Sequence, residues 1–148
     1  MPALSSFDYA VVRVVPRVDR EEFLNAGVIL FCLQRGFLAA RVHLDEQRLR
    51  TLWPDVDLEA VRLHLGAFAR IARGEADAGP IARLAPRERF HWLVAPRSTV
   101  IQVSSVHSGL CDEPEPVLND LFQKLVETCS ASTVSSAPPS PGQASSSS

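Results

Sequence analysis

Residues 7 to 15 read FDYAVVRVV, and this stretch decides the fold. Successive side chains of a strand point to opposite faces of its sheet. Both faces of this stretch are apolar, which is typical of a strand at the centre of a sheet. Pro16 has no amide hydrogen for a ladder bond and should end the strand. One face carries Tyr9, Val11 and Val15, and the other carries Ala10, Val12 and Val14.

A hairpin follows this strand in the predicted order of elements. Val28–Leu33 is a second apolar segment, and Phe37–Leu44 is the segment that returns beside it. Arg35 and Gly36 lie between the two and are typical of a hairpin turn. Together with the first strand, these segments predict the early half of an antiparallel sheet.

In the middle of the chain, the spacing of the apolar residues is that of α-helices. Asp45 begins a predicted helix that runs to about Trp53, and a second helix follows a cap at Asp55 or Asp57. Gly66 lies inside the second helix, where close packing against another element should compensate for its low helix propensity. The apolar residues of this helix recur at the helical period and are Leu58, Val61, Leu65, Phe68 and Ala72.

The last third of the folded part mixes helix and strand. Pro86 suits the first position of a short helix through Leu93, although residues 90 to 94 also alternate as a strand would. Thr99–Val106 is predicted to be a strand, and Asp112 should cap the last helix. This order predicts an α+β fold with a mostly antiparallel sheet of about four strands and helices packed on one face.

The 148 residues divide into a domain and a tail. Residues 130 to 148 are rich in Ser and Pro and contain no charged residue, so they lack the apolar surface that would offset the entropy of ordering. We therefore expect a single α+β domain over residues 1 to 129 and a disordered tail over residues 130 to 148.

Composition narrows the classes of function. The net charge is −2, Lys124 is the only lysine and the arginines are scattered, so a nucleic-acid partner is not expected. No apolar run is long enough to cross a membrane and no signal peptide is evident, which favours a cytoplasmic protein. The three cysteines lack the spacing of a zinc site, and we expect neither a metal nor another cofactor.

No common catalytic motif is present. The sequence lacks the phosphate-binding loop, the dinucleotide-binding glycines, the G-x-S-x-G elbow and the H-E-x-x-H zinc motif. Candidate site residues must therefore come from polar side chains at unexpected positions. Enzymes whose sites assemble from distant residues are not excluded by this argument.

Arg13 interrupts an apolar strand face and is the first such residue. An unpaired buried guanidinium is costly, so Arg13 should pair with Glu21 or Glu22 or should lie in a polar pocket. The cluster with Arg17 and Asn25 has two interpretations. It is either a structural ion pair that orients the turn, or a site that offers arginine to a carboxylate or phosphate.

Two further groups lie near the last predicted strand. Arg97, Ser98 and Gln102 are either ordinary loop and strand residues or a small anion-binding corner. His107 follows the strand in a predicted loop, where it is either bonded to backbone or in contact with a ligand. A catalytic pair of His107 with Cys111 is only weakly supported, because no third group is fixed to orient the histidine.

Two segments resemble a bacterial family, the domain-of-unknown-function family 3037. The first reads YAVVRVVPRV from residue 9 with EEFLNAGVILF from residue 21, and the second reads RFHWLVAPRSTVIQ from residue 89 with VHSGL from residue 106. The likeness covers residues 7 to 128; at Val103 and Ser104 the chain departs from a proline that is usual in the family. The resemblance implies a small bacterial protein often encoded beside a HipA-like kinase protein, which would then be a possible partner.

The sequence favours a non-catalytic binding or accessory module that partners a kinase-like protein or an anionic small molecule. The alternative is an enzyme of unassigned class that acts on a phosphate- or carboxylate-bearing substrate. In that alternative Glu22 or His107 would transfer protons. The residues expected to bind the anion are Arg13, Arg17, Asn25, Arg97, Ser98 and Gln102. If the last strand lies antiparallel beside the first, Arg17 and Arg97 share one end of the sheet.

Overall fold

The computed structural model describes residues 4–15, 23–95 and 100–127. Within these ranges the chain forms five strands and four α-helices. The strands are β1 (Ser5–Val14), β2 (Leu24–Cys32), β3 (Phe37–Val42), β4 (Ile101–Val103) and β5 (His107–Cys111). The helices are α1 (Glu46–Leu52), α2 (Leu58–Arg73), α3 (Pro86–Val94) and α4 (Pro114–Phe122), and α4 continues as a π-helical turn, Gln123–Glu127.

The sheet is antiparallel throughout and β1 lies at its centre, as its two apolar faces predict. The order is β3-β2-β1 on one side. On the other side β4 pairs with the end of β1 at Val12–Val14, and β5 pairs with its beginning at Ser5–Tyr9. The α+β class and the antiparallel sheet are confirmed, with five strands where about four were expected.

The final strand differs from the prediction. Thr99–Val106 was expected as one strand and the following residues as a loop, but β4 ends at Val103 and residues 107 to 111 form β5. Between the two, residues 104 to 106 lie opposite only two residues of β1, so the edge contains a bulge. The amide of Val11 donates to Ser104 Oγ and the Ser104 amide donates to the Val11 carbonyl, each at 2.9 Å.

Gly109 made β5 look like a loop in the sequence, but in the sheet this glycine lies beneath an aromatic ring. A Cβ atom at Gly109 would lie 2.7 Å from Cζ of Phe7, the residue opposite it on β1. The Phe7 ring therefore covers the glycine, and local propensity is overridden by a contact across the sheet.

The N-cap residues of the helices are close to those predicted from the sequence. Asp45 and Asp57 are the N-caps of α1 and α2, where their Oδ1 atoms accept from the amides of Arg48 and Ala60, both at 3.1 Å. Residues 90 to 94 are helical. The N-cap of α4 is Glu113, one residue later than the predicted Asp112, because Pro114 takes the first helical position.

Helices cover both faces of the sheet, whereas the sequence predicted one. Leu49 of α1 and residues of α2 and α3 pack on Val12 and Ile29. Leu118 and Phe122 of α4 join the core on the opposite face. The physical reason is that β1 and β2 are apolar on both faces, so a single helical layer would leave one apolar face in water.

The tail prediction lies outside the described residues and leads to a direct test. A chain that ends at Cys129 should keep its melting temperature within about 4 °C of the full chain, because the removed residues have no apolar stripe to pack. Thermal unfolding followed by circular dichroism measures this. A larger fall in the melting temperature would mean that the tail packs on the domain.

Candidate functional site

Sheet register brings three of the predicted binding residues into one row. Arg13 on β1 lies opposite Asn25 on β2 and opposite Gln102 on β4. Residues directly opposite each other in an antiparallel sheet share a face, so all three side chains emerge on the same side. That side is the α4 face, since Asn25 Nδ2 donates to the carbonyl of Leu125 at 2.9 Å. We call these three residues the polar row.

An irregularity between β1 and β2 makes this alignment possible. The register passes from Val12 opposite Gly27 to Arg13 opposite Asn25, so one extra residue lies in β2. Gly27 fits here because a Cβ atom would lie 2.7 Å from the carbonyl oxygen of Arg41 on β3. Such bulges redirect side chains at functional sites, and this one places Asn25 beside Arg13.

Arg13 is partly shielded from water, and no carboxylate among the described residues forms an ion pair with it. Its guanidinium carbon is 4.2 Å from the centroid of the Phe23 ring, within cation–π range. Its Nε atom is buried and makes no hydrogen bond within the described ranges. Burial lowers the pKa of Arg13 below its ordinary value. The carboxylates predicted to pair with it, Glu21 and Glu22, lie outside the described residues.

Asn25 ties the row to the end of α4. Its Nδ2 atom bonds Leu125 in the π-helical turn, while its Oδ1 atom is buried and has no partner among the residues described. The amide is therefore held in one orientation by a residue 100 positions away in sequence. The hydrogen bond therefore holds in place the member of the polar row that lies on β2.

The other predicted binding residues are not described. Arg17, Arg97 and Ser98 lie in residues 16–22 and 96–99, outside the described ranges. The strands that flank these segments are adjacent: β4 runs antiparallel to β1, and the Val15 amide donates to the Val100 carbonyl at 2.7 Å. The sequence predicted that Arg17 and Arg97 share one end of the sheet if the last strand lies antiparallel beside the first. The strands do lie in this way, and the proximity of the two arginines stays a prediction.

His107 lies on the same face as the polar row but at a distance from it. It is exposed on β5 opposite Tyr9, with ring centroids 5.3 Å apart. Tyr9 and Arg13 are four residues apart on one strand, which is about 13 Å. His107 is therefore outside contact distance of a group bound directly at Arg13.

The suggested pair of His107 and Cys111 does not form a catalytic dyad. The two residues are the ends of the same extended strand, about 13 Å apart. Cys111 is buried, and desolvation is the main reason that its pKa is raised. A thiol with a raised pKa is a poor nucleophile at neutral pH.

Two aromatic residues of this face were missed by sequence reasoning. The Phe23 ring lies against the Arg13 guanidinium, and the Tyr9 ring is in tilted contact with the His107 ring. Phe23 precedes Asn25 by two residues and shares its face in an extended chain. The pattern was available, but β2 was predicted to begin at Val28 and begins at Leu24, so this alternation was overlooked.

Neither a metal-binding group nor a membrane-spanning helix is found among the described residues. Among residues 4–15, 23–95 and 100–127, no three His, Cys, Asp or Glu side chains are grouped so that they could hold a metal ion. Within the same ranges, no helix has both the length and the apolar character needed to cross a membrane. The polar row offers the guanidinium of Arg13, which is a donor suited to an anion, and the ring of Phe23 lies against that guanidinium.

Comparison with known proteins gives one match. The family model described as "Protein of unknown function (DUF3037)" matches residues 9–126, which is well over half of the chain. No curated protein and no solved structure matches the chain. The match includes all of the polar row and extends from β1 into the π-helical turn after α4. The chain therefore belongs to the DUF3037 family.

Proposed function

We propose that this protein is a non-catalytic binding module whose polar row holds an anionic group, a carboxylate or a phosphate, of its partner. The observation that carries the proposal is the partly buried guanidinium of Arg13, whose Nε has no hydrogen-bond partner among the described residues. Desolvating a charge without a partner is costly. A bound anion would accept that hydrogen bond and offset the cost.

The surroundings of Arg13 favour a preorganised site. Stacking on Phe23 restricts the guanidinium, and the register places an amide on each side of it, from Asn25 and from Gln102. A restricted side chain loses less entropy when a ligand binds. The planar guanidinium supplies the charge-assisted donors, so a planar carboxylate or a phosphate face is a suitable ligand.

Binding is favoured over catalysis by the content of the row. Neither an arginine nor an amide transfers protons at neutral pH. General acid–base catalysis needs a titratable group within about 3 Å of the reacting atom, or one water molecule away. His107 lies opposite Tyr9, which is about 13 Å along β1 from Arg13. The enzyme alternative therefore depends on Glu22, which lies outside the described residues.

The anion is either free or presented by a protein, and the family resemblance makes a HipA-like kinase protein the first protein to test. Co-expression followed by size-exclusion chromatography separates these sources. Co-elution that is lost in Arg13→Gln supports a protein-borne anion. Separate elution together with binding of a free anion supports a small molecule.

Arg13→Gln should weaken the binding of inorganic phosphate or succinate by about tenfold or more, because a charge-assisted hydrogen bond is lost. The measurement is an NMR titration of 15N-labelled protein that includes the arginine Nε–H signals. In the natural chain, the Arg13 Nε–H and the amides of Phe23, Asn25 and Gln102 should shift first. Arg50→Gln, on the exposed end of α1, is the matched control and should leave the titration unchanged.

Equal shifts in the natural chain and in Arg13→Gln would contradict the proposal. A second readout concerns stability: Arg13→Met should change the free energy of unfolding by less than about 1 kcal/mol or should raise it, since an apolar residue replaces a partly buried guanidinium to which the described residues offer no carboxylate. A loss of about 3–5 kcal/mol in urea denaturation would instead reveal a carboxylate partner for Arg13.

A further inference from the structure

A cleft opens on the face of the sheet opposite the polar row. It lies between β1, the end of β2 and α3, and has a volume of about 650 Å³. This is within the range of cavities that hold small ligands. Among the residues that line it are Asp8, Phe31, Arg87, Phe90, Val94 and Val106.

Apolar groups form one part of the cleft. The rings of Phe31 on β2 and Phe90 on α3 are stacked, with centroids 5.2 Å apart and an interplanar angle of 23°. Val94 and Val106 add aliphatic surface, and Val106 is 42% exposed. An apolar portion of a ligand would therefore find both aromatic and aliphatic contacts.

A carboxylate on the central strand forms another part. Asp8 Oδ1 accepts a hydrogen bond from Ser108 Oγ at 2.6 Å, which fixes the orientation of the carboxylate. Within the part of the chain that the structure describes, no Arg, Lys or His forms an ion pair with Asp8. The Asp8 carboxylate is partly buried, which is uncommon for an aspartate without an ion-pair partner, and it faces the cleft.

A guanidinium and an imidazole face the same space from the helix. Arg87 and His91 lie one turn apart on α3 and both line the cleft. Arg87 makes no ion pair within the described ranges. The cleft thus holds one carboxylate and one guanidinium that do not neutralise each other directly.

We propose that this cleft binds a zwitterionic small molecule of the amino-acid type with an apolar side chain. The ligand's ammonium group would bond Asp8, its carboxylate would bond Arg87, and its side chain would lie against Phe31 and Phe90. A simple cation is disfavoured by Arg87 and a simple anion by Asp8, so the two charges together select a ligand that carries both. The site lies on the opposite face from the polar row and does not depend on it.

The test uses three related probes: L-phenylalanine, phenethylamine, which lacks the carboxylate, and 3-phenylpropionate, which lacks the ammonium group. NMR titration at millimolar ligand should shift the amides of the cleft residues with L-phenylalanine. Each truncated probe should bind about tenfold more weakly or worse, because one charged contact is lost.

Two variants assign the contacts. Asp8→Asn keeps an oxygen that can accept from Ser108, so the fold should be retained, yet it should bind L-phenylalanine no better than 3-phenylpropionate. Arg87→Gln should likewise remove the advantage over phenethylamine. The matched controls are Asp55→Asn and Arg50→Gln, which change the same charges at exposed positions outside the cleft lining.

Each possible result of these titrations either supports the site or overturns it. Loss of discrimination in Asp8→Asn and Arg87→Gln, with both controls unchanged, supports the site. The absence of shifts in the cleft with all three probes overturns the proposal. L-phenylalanine binding of undiminished affinity in Asp8→Asn also overturns it, because the ammonium group would then be held elsewhere.

Discussion

Leu30→Ala should lower the free energy of unfolding by about 2–5 kcal/mol, the usual cost of a large-to-small change in a core. Leu30 lies in the middle of β2 with no exposed surface. It belongs to the core on the α4 face, where Leu118 and Phe122 pack. Truncation removes buried methyl groups and leaves a cavity that a close-packed interior fills only in part. Urea denaturation followed by circular dichroism measures the loss.

Two neighbouring substitutions make this result specific. Ile29→Ala, on the other face of the same strand, should cost a similar amount, because Ile29 is also fully buried, beneath the α1–α3 layer. Leu33→Ala should change the free energy of unfolding by less than about 0.5 kcal/mol, since Leu33 is 60% exposed. If helices covered only one face, one of the two buried positions would behave like Leu33, and the arrangement of α4 would be wrong.

Gly27→Ala should lower the free energy of unfolding by about 1–3 kcal/mol or more, the range for overpacking a filled site. The new Cβ would lie 2.7 Å from the carbonyl oxygen of Arg41 and 2.8 Å from Cγ1 of Val42. The nearer of these atoms belongs to the backbone of β3, so relief requires that β3 move away from β2. The same movement would disturb the bulge that aligns Asn25 with Arg13.

Gly66→Ala is the matched control, with an effect of opposite sign. The sequence predicted close packing around Gly66, and this is wrong: a Cβ atom there would have no neighbour within 4 Å, and the residue is exposed. Alanine should therefore raise the free energy of unfolding by up to about 1 kcal/mol through helix propensity. Equal effects of the two substitutions in urea denaturation would contradict the close approach of β3 to Gly27.

The candidate site was predictable in its residue types but not in its grouping. Arg13 was identified because it interrupts an apolar strand, Asn25 because it belongs to the cluster with Arg17, and Gln102 because it follows Arg97 and Ser98 along the last predicted strand. Their alignment depends on a one-residue irregularity in β2 and on the pairing of β4 with β1. His107 belonged to the same sequence motifs, yet the register places it opposite Tyr9, away from the row. The cleft beside Asp8 gave no sequence signal, because its lining comes from four separate parts of the chain.

The sequence by itself determined the local features of this protein. Two apolar faces made β1 central, Arg35 and Gly36 gave the hairpin turn, and Asp45 and Asp57 began their helices. Each of these depends on residues a few positions apart, whose propensities and hydrogen bonds act wherever the segment lies.

Tertiary structure alone decided the register, the bulges and the face that α4 covers. Gly109 and the residues around it are strand because they pair with residues 5 to 9 of β1, and Asn25 is oriented by a carbonyl 100 residues away. The helices of both layers have similar apolar stripes, so a stripe shows that a helix must pack but not which side of the sheet receives it. Two apolar faces on β1 and β2 could be covered only by dividing the helices between them, and that division leaves the polar row and the cleft on opposite sides of one sheet.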